Sequence, residues 1–194
     1  MAKGSDYERK LCKRFGLWWT NGQRDDVFWR SSNSGGRATM RARAGHQTHG
    51  QHGDMAATDP VGVPFVDVFT VEMKRGYSKF TVQDMLDKAD GAAVQEFEKF
   101  FAQVLESYEA AGSLSWMLVT RRDRRTALLW LPVSTVRLMR DRGAWLKRPL
   151  PHAEAVLTVR DRPAGAQQRV HVACMHLDQL WGVEPDIVRG MAAM

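Results

Sequence analysis

Cysteines and long apolar runs are scarce in this sequence. Only two cysteines, Cys12 and Cys174, occur in 194 residues, too few for a disulfide framework or a cysteine-rich zinc site. No apolar run approaches the roughly 20 residues that a membrane-spanning helix needs, and the first residues lack the apolar core of a signal peptide. We therefore expect a soluble, cytoplasmic protein with no membrane partner.

Acidic residues are absent from residues 27–53, a segment that contains four arginines and three histidines. This segment is rich in glycine and has no hydrophobic period, which predicts a long loop, and long loops within compact domains are often functional. The net charge of +6 suits a polyanionic partner such as nucleic acid. We therefore predict an arm that orders on DNA, with Arg37, Arg41 and Arg43 bound to phosphates.

Three further features each allow two interpretations. The histidines of the acid-free segment lie three residues apart and could bind zinc, but neighbouring glycines disfavour a helix and no cysteine is near, so a flexible arm is favoured. The run "RRDRR" at residues 121–125 is either a charged turn or a phosphate contact. Three tryptophans beside basic segments either pack in the core or stack on exposed bases. The histidines are His46, His49 and His52, and the tryptophans are Trp18, Trp19 and Trp29.

Hydrophobic periodicity predicts alternating helices and strands. Apolar residues recur at helical spacing from Ser5 to Trp19, where Ser5 and Glu8 fit a capping box, and again over residues 92–112, where Gly112 fits a C-terminal cap. Apolar runs predict strands over 25–32, 54–59, 65–74, 113–120 and 126–132, then a helix over 133–143, a hairpin of 153–161 and 168–175, and a closing helix over 177–191. This mixed order predicts an α/β fold around a central sheet.

The stretch "VEMK" points to chemistry. Side chains alternate along a strand, so Glu72 and Lys74 share one face. If "PVGVP" forms a hairpin turn symmetric about Val63, Asp54 lies opposite Glu72 with Cβ atoms roughly 5 Å apart, although a shift of one residue breaks this pairing. Two such carboxylates repel unless a cation lies between them, and Mg²⁺ prefers oxygen ligands, to which the carbonyl of Met73 could add. Lys74 could stabilise charge that develops on a phosphate. The alternative is a solvated charge pair at a strand end.

Four motifs in order carry a family resemblance. The stretches "KGSDYERKL", "WRSSNSGGR", "GDMAA" and "VEMK" resemble the PD-(D/E)xK nuclease superfamily, and more closely the archaeal-type Holliday junction resolvases. The later helix "FFAQVLESYEAAG" and the hairpin "WMLVTRRDRRTALLWLP" also resemble that family's second half. The resemblance covers about residues 3–132 and implies a restriction-endonuclease-like αβββαβ core with a central mixed sheet flanked by helices. Residues 133–194 would form a C-terminal extension packed on this core domain of residues 1–132.

The resemblance also implies roles for individual residues. Asp54 and Glu72, with the carbonyl of Met73, would hold the metal, Lys74 would be the catalytic lysine, and Glu8 would complete the acidic set unless it only caps its helix. Because 17 residues separate Asp54 from Glu72, Asp59 and Asp67 are rival carboxylates. The loop serine that contacts the DNA backbone would be Ser31, Ser32 or Ser34, beside Arg30 in the same motif.

The implied activity is Mg²⁺-dependent DNA cleavage, with Mn²⁺ as a possible substitute. The expected substrate is branched DNA, most specifically a four-way Holliday junction, and symmetric cutting of two strands implies a homodimer. The alternatives are a nicking, mismatch or restriction-type DNA endonuclease of the same fold, and a DNA-binding module without turnover. Intact Glu72 and Lys74 speak against the last alternative.

Overall fold

The computed structural model describes residues 3–31, 52–77, 79–89, 92–145, 152–160 and 166–194. Its helices and strands alternate along the chain. The helices are α1 (Lys3–Trp19), α2 (Val63–Val68), α3 (Gln83–Leu86), α4 (Glu96–Ala111), α5 (Val133–Asp141) and α6 (Pro185–Ala192), with 3₁₀ helices at Pro60–Gly62 and Leu177–Gly182. The strands are β1 (Phe28–Arg30), β2 (Met55–Ala57), β3 (Phe69–Arg75), β4 (Ser115–Arg121), β5 (Leu128–Pro132), β6 (His152–Arg160) and β7 (Gln167–His176).

The described strands form one large and one small sheet. The large sheet has five strands in the order β3-β4-β5-β7-β6, with β3 and β4 parallel and the other neighbours antiparallel. Strands β1 and β2 pair antiparallel in the small sheet. A mixed sheet with helices on both faces confirms the predicted α/β class and is consistent with a restriction-endonuclease-like fold.

Apolar residues of α1 and α4 cover opposite faces of the large sheet. Tyr7, Leu11, Phe15 and Trp19 of α1 are buried together with residues of α2 and α6, and Phe101 of α4 is buried against the other face. Burying such a side chain contributes roughly 1.5–3 kcal/mol. Both helices were predicted from apolar residues at helical spacing and are confirmed.

The boundaries of these two helices follow different local rules. Helix α1 begins at Lys3, so Ser5 is already a helical residue and the predicted capping box at Ser5 is wrong. Helix α4 starts with a capping box made by Gln95 and Glu98, and it ends at Gly112, whose φ of +64° is left-handed as a C-terminal cap requires.

The predicted hairpin between residues 54–59 and 65–74 is wrong. Residues 63–68 form α2 instead, and β2 pairs with β1 rather than with β3. Pro60 and Pro64 each stand in the first turn of a short helix, where proline is well tolerated. The run of Phe65, Val66 and Val68 is buried whether it is helical or extended, so its apolar character did not distinguish the two.

The C-terminal residues continue the large sheet. Strand β7 lies between β5 and β6, so the predicted hairpin of 153–161 and 168–175 is confirmed, as is the helix at 133–143, which is α5. The closing helix is split into a 3₁₀ helix and α6 because Pro185 starts a new helix. Whether residues 1–132 also fold as a separate core domain stays a prediction.

One buried carboxylate joins this region to α4. Glu98 accepts a hydrogen bond from the backbone N–H of Arg160 at 2.9 Å and pairs with the ammonium group of Lys88 at 2.8 Å. The end of β6 is thereby fixed to the first turn of α4, the helix that contacts the candidate site. Among the described residues, no helix combines the length and the apolar character that crossing a membrane requires.

The two tryptophans at the end of α1 pack against core residues. The indole N–H of Trp18 donates to the carbonyl of Val183 at 2.8 Å, and that of Trp19 donates to the carbonyl of Val61 at 2.7 Å. Both rings also contact Phe65. These contacts favour the packing interpretation over base stacking for Trp18 and Trp19.

Candidate active site

Strand β3 places two of the predicted residues side by side. Glu72 is only 1% exposed, and the Nζ atom of Lys74 lies 3.0 Å from Glu72 Oε2. Both side chains lie on the α4 face of the sheet, while Val71 and Met73 pack on the α1 face. The shared face was predicted from the period of two, and the structure confirms it.

Asp54 lies beside the same residues of β3, but through contacts other than the predicted hairpin pairing. Its backbone N–H donates to the carbonyl of Val71 at 2.7 Å, and its Oδ2 accepts from the backbone N–H of Met73 at 2.7 Å. Oδ2 also lies 3.9 Å from the Nζ atom of Lys74. Asp54 therefore meets Glu72 and Lys74 at the outer side of β3 without being paired in a hairpin.

The outer side of β3 is open to Asp54 because β3 is the edge strand. Gly76 donates its N–H to Arg121 in β4, so the even-numbered residues bond to the neighbouring strand. Val71 and Met73 therefore direct their N–H and C=O groups away from β4. The carbonyl of Met73 thus points toward the side on which Asp54 lies.

Gly53 and Ser31 hold Asp54 in position. The φ of Gly53 is +77°, and a Cβ atom there would come within 2.7 Å of the Val71 carbonyl oxygen. The hydroxyl of Ser31 donates to the carbonyl of Gly53, and the N–H of Ser31 donates to the carbonyl of Asp54 at 3.1 Å. We call this arrangement the Ser31–Gly53 clip. This role of Gly53 was not predicted, although a glycine directly before a site aspartate was the available signal.

Helix α4 contributes two residues to the site that were not predicted from the sequence. Gln103 Nε2 donates to Glu72 Oε2 at 3.0 Å, and Ser107 Oγ donates to Glu72 Oε1 at 3.0 Å. They are four residues apart and therefore share one face of the helix. Polar residues next to a buried apolar stripe were the available signal. Together they fix both oxygens of the Glu72 carboxylate.

Burial and charge make Asp54 a strongly perturbed acid. Loss of solvent, and then the negative charge of Glu72, raise the pKa of Asp54 to about 7, against the opposing effect of Lys74. Burial, followed by the charges of Glu8 and Asp54, likewise raises the pKa of the Cys12 thiol. The site thus holds more negative charge than its one lysine compensates.

Glu8 has an ion-pair partner outside the group of Asp54, Glu72 and Lys74. It forms an ion pair with Arg30 of β1, and both side chains are largely buried. Within the part of the chain that the structure describes, no cluster of three or more metal-type side chains is present. The structure therefore brings Asp54, Glu72 and Lys74 together and leaves Glu8 with Arg30.

The rival carboxylates have other positions. Asp59 caps the first 3₁₀ helix by accepting from the N–H of Val61 at 2.9 Å, and it also accepts from Arg24 at 2.8 Å. Asp67 is exposed on α2. Neither side chain lies against Glu72 as Asp54 does.

The predicted DNA-contacting residues fall mostly outside the described residues. Ser31 is described and is 2% exposed, with its hydroxyl used in the clip. His52 is described and exposed. The predictions for Ser32, Ser34, Arg37, Arg41, Arg43, His46 and His49 lie outside the described residues.

Comparison with known families decides the class to which this site belongs. Residues 1–185 match the model of a family described as phage putative PDDEXK endonuclease. The chain belongs to this family. Membership supports the predicted PD-(D/E)xK superfamily and the nuclease class, but it specifies neither archaeal resolvases nor a substrate. No curated protein and no solved structure matched the chain.

The side chains beside β3 fit the divalent cation on which PDDEXK nucleases generally depend. Asp54 and Glu72 supply carboxylate oxygens, and Mg²⁺ is commonly bound through one or two carboxylates and water. The raised pKa of Asp54 reflects crowded negative charge that a cation would relieve. The donor type therefore suits a hard cation, without identifying which one.

Proposed function

We propose that this protein is a DNA endonuclease that hydrolyses phosphodiester bonds with Mg²⁺, for which Mn²⁺ can substitute. The observation that carries the proposal is the convergence of Asp54, Glu72 and Lys74 at the outer side of β3. Asp54 and Glu72 would hold the cation, with the Met73 carbonyl as a third oxygen. A bound divalent cation would polarise the scissile phosphate and make the attacking water more acidic.

The protein's own groups orient the reacting atoms. The N–H of Met73 fixes Oδ2 of Asp54, and Gln103 and Ser107 fix the carboxylate of Glu72. The ammonium group of Lys74 partly compensates these charges in the free protein, and in the complex it would donate to a phosphate oxygen as negative charge develops there. Such preorganised donors lower the barrier because they do not have to reorient during the reaction.

We further propose branched DNA, and a four-way junction in particular, as the substrate of a homodimer. Support comes from the resemblance of "WRSSNSGGR" and its neighbouring motifs to junction resolvases, and from the net charge of +6. Arg37, Arg41 and Arg43 would contact the backbone, together with Ser32 or Ser34, because the hydroxyl of Ser31 is buried and bonded to Gly53. Glu8 is proposed as the outer acidic residue of the site, with Arg30 exchanging its ion pair for a phosphate when DNA binds.

A cleavage assay with three DNA substrates tests this proposal. A labelled four-way junction, a linear duplex of the same sequence and a single strand are incubated with Mg²⁺, with Mn²⁺ or with EDTA. We expect metal-dependent cutting, fastest on the junction. Cutting of the linear duplex at the same rate would assign the nicking or restriction-type alternative instead.

A matched pair of variants separates catalysis from binding. Glu72→Gln should abolish cleavage while leaving junction affinity unchanged, because it removes a charge from the metal site. Glu106→Gln changes an exposed glutamate on the same helix as Ser107 and should behave like the wild type. DNA binding by the wild type without cleavage in any metal would assign the non-catalytic binding module.

A further inference from the structure

Apart from the candidate active site, a cleft lies beside α1, on the opposite face of the sheet from Glu72. Its volume is about 650 Å³, and it is bounded by α1, the ends of β3 and β4, and the second 3₁₀ helix. We call it the basic cleft because six cationic side chains line it. They are Lys10, Arg14, Arg75, Arg121, Arg124 and Arg125.

Tyr7 lies at the floor of this cleft with an unused polar group. Tyr7 is 6% exposed, and among the described residues its hydroxyl has no hydrogen-bond partner. The guanidinium carbons of Arg75 and Arg121 each lie 5.7 Å from the centre of its ring. A buried hydroxyl without a partner is destabilising, so a ligand oxygen that accepts a hydrogen bond from Tyr7 would remove this cost.

The positive charge of the cleft is only partly compensated. Asp178 pairs with Arg14 at 2.9 Å, and Asp123 lies 3.7 Å from Arg75. Within the described part of the chain, ion pairs therefore join only two carboxylates to the six cations. Burial raises the pKa of the Tyr7 phenol, and Arg121, Arg75 and Arg14 oppose this rise, which is consistent with three guanidinium groups around one hydroxyl. The excess of donors and positive charge calls for an anion with several acceptor oxygens.

The basic cleft lies next to the candidate active site along the chain. Arg75 directly follows Lys74 in β3, and Tyr7 directly precedes Glu8 in α1. Consecutive residues of a strand point to opposite faces, so one strand end presents Lys74 to one side and Arg75 to the other. A DNA strand that passes over the end of β3 can therefore contact both.

We propose that the basic cleft binds a phosphate group of the DNA substrate, with the Tyr7 hydroxyl and the guanidinium groups of Arg75 and Arg121 as donors. The proposal rests on the proposed nuclease function and adds a second anchoring point to it. The phosphate is either a diester of the backbone or a monoester at a strand end. Both offer the acceptor oxygens that planar guanidinium groups recognise.

DNA binding without metal tests the cleft independently of catalysis. All variants are made in the Glu72→Gln background, and affinity for a labelled junction is measured by fluorescence anisotropy at several salt concentrations in EDTA. Arg75→Gln combined with Arg121→Gln should weaken binding at least tenfold and reduce the salt slope by about 0.9 for each phosphate that the variant no longer neutralises. Arg140→Gln removes a charge from an exposed position on α5, away from the cleft, and should leave the slope unchanged.

Tyr7→Phe is the sharper variant because it removes one oxygen atom and keeps the ring beneath the arginines. We expect about tenfold weaker binding, the range of a hydrogen bond to a charged group, with an unchanged or higher melting temperature. If Tyr7→Phe binds like its parent and the double arginine variant has the salt slope of Arg140→Gln, the arginines only pack on the ring and the proposal is overturned.

Two further comparisons identify the phosphate and separate this proposal from the proposed function. Junctions with and without 5′-phosphates are compared. An effect of Tyr7→Phe that disappears without the 5′-phosphate assigns a terminal monoester, and an effect that persists assigns the backbone. If the wild type cuts no DNA but Tyr7→Phe weakens DNA binding, the nuclease function is refuted and phosphate binding in the basic cleft stands. If the wild type cuts DNA and the cleft variants bind like their parent, the nuclease function stands and phosphate binding in the basic cleft is refuted.

Discussion

Replacing Asp54 with asparagine should stabilise the metal-free protein while abolishing its activity. The substitution keeps an oxygen that can accept from the N–H of Met73, but it removes the charge that is buried beside Glu72. The pKa of Asp54 is raised from 3.8 to about 7, so the folded protein binds more protons than the unfolded chain between these two values. The contribution of Asp54 to stability therefore falls as the pH rises through this window.

The expected size follows from the same pKa. A tenfold change in proton affinity corresponds to about 1.4 kcal/mol, so the raised pKa of Asp54 lowers the free energy of unfolding, relative to low pH, by up to about 4 kcal/mol at pH 8 and by about 2 kcal/mol at pH 5. Asp54→Asn should therefore raise the free energy of unfolding, and by more at pH 8 than at pH 5. Urea denaturation in EDTA at both pH values measures this difference.

A matched control and a metal titration complete the test. Asp59→Asn makes the same change where the N–H of Val61, and then Arg24, lower the pKa of the acid, so it should not gain stability at pH 8. Adding Mg²⁺ at pH 8 should stabilise the wild type but not Asp54→Asn, because a ligand stabilises only the state that binds it. A loss of stability in Asp54→Asn that is equal at both pH values would refute the reasoning and make Asp54 a structural residue.

Three other predictions follow from the site and its neighbouring segments. Gly53→Ala should reduce cleavage strongly and destabilise the fold by about 1–2 kcal/mol, because a Cβ atom would meet the Val71 carbonyl at a left-handed φ; cleavage and urea assays on the same sample check this. Ser107→Ala should lower kcat more than it raises KM, since it frees one oxygen of Glu72; an effect in steady-state kinetics on KM alone would contradict this role. Replacing Arg37, Arg41 and Arg43 together with alanine should weaken junction binding and flatten its salt dependence, as measured by anisotropy, while circular dichroism stays unchanged.

The residues of β3 show what the sequence can predict. Alternation along a strand depends only on local geometry, so the shared face of Glu72 and Lys74 followed from their spacing. The position of Asp54 depends on long-range contacts with Val71 and Met73, which local patterns do not determine. Asp54 was identified correctly as the neighbour of Glu72, although the hairpin proposed to place it there does not exist.

Residues that hold the site residues in position, or that bind beside them, are harder to predict from the sequence. Gln103 and Ser107 lie on a helix that was predicted well, but an apolar period marks only which face is buried and not which polar side chain reaches across to a neighbouring strand. Tyr7 is a core residue of α1, but its hydroxyl becomes a candidate ligand-binding group only because the ends of β3 and β4 bring Arg75 and Arg121 close to its ring. Such convergence depends on strand order, which the sequence left open.

The Ser31–Gly53 clip has a consequence for how this protein can diversify. The clip joins the two ends of residues 32–51 directly beside Asp54, so that segment leaves and returns at one fixed point. The entropic cost of fixing the two ends of a flexible chain segment grows only slowly with its length, by about 0.6 kcal/mol for each doubling. Proteins of the same family could therefore differ in the length of this segment while the position of Asp54 stays the same.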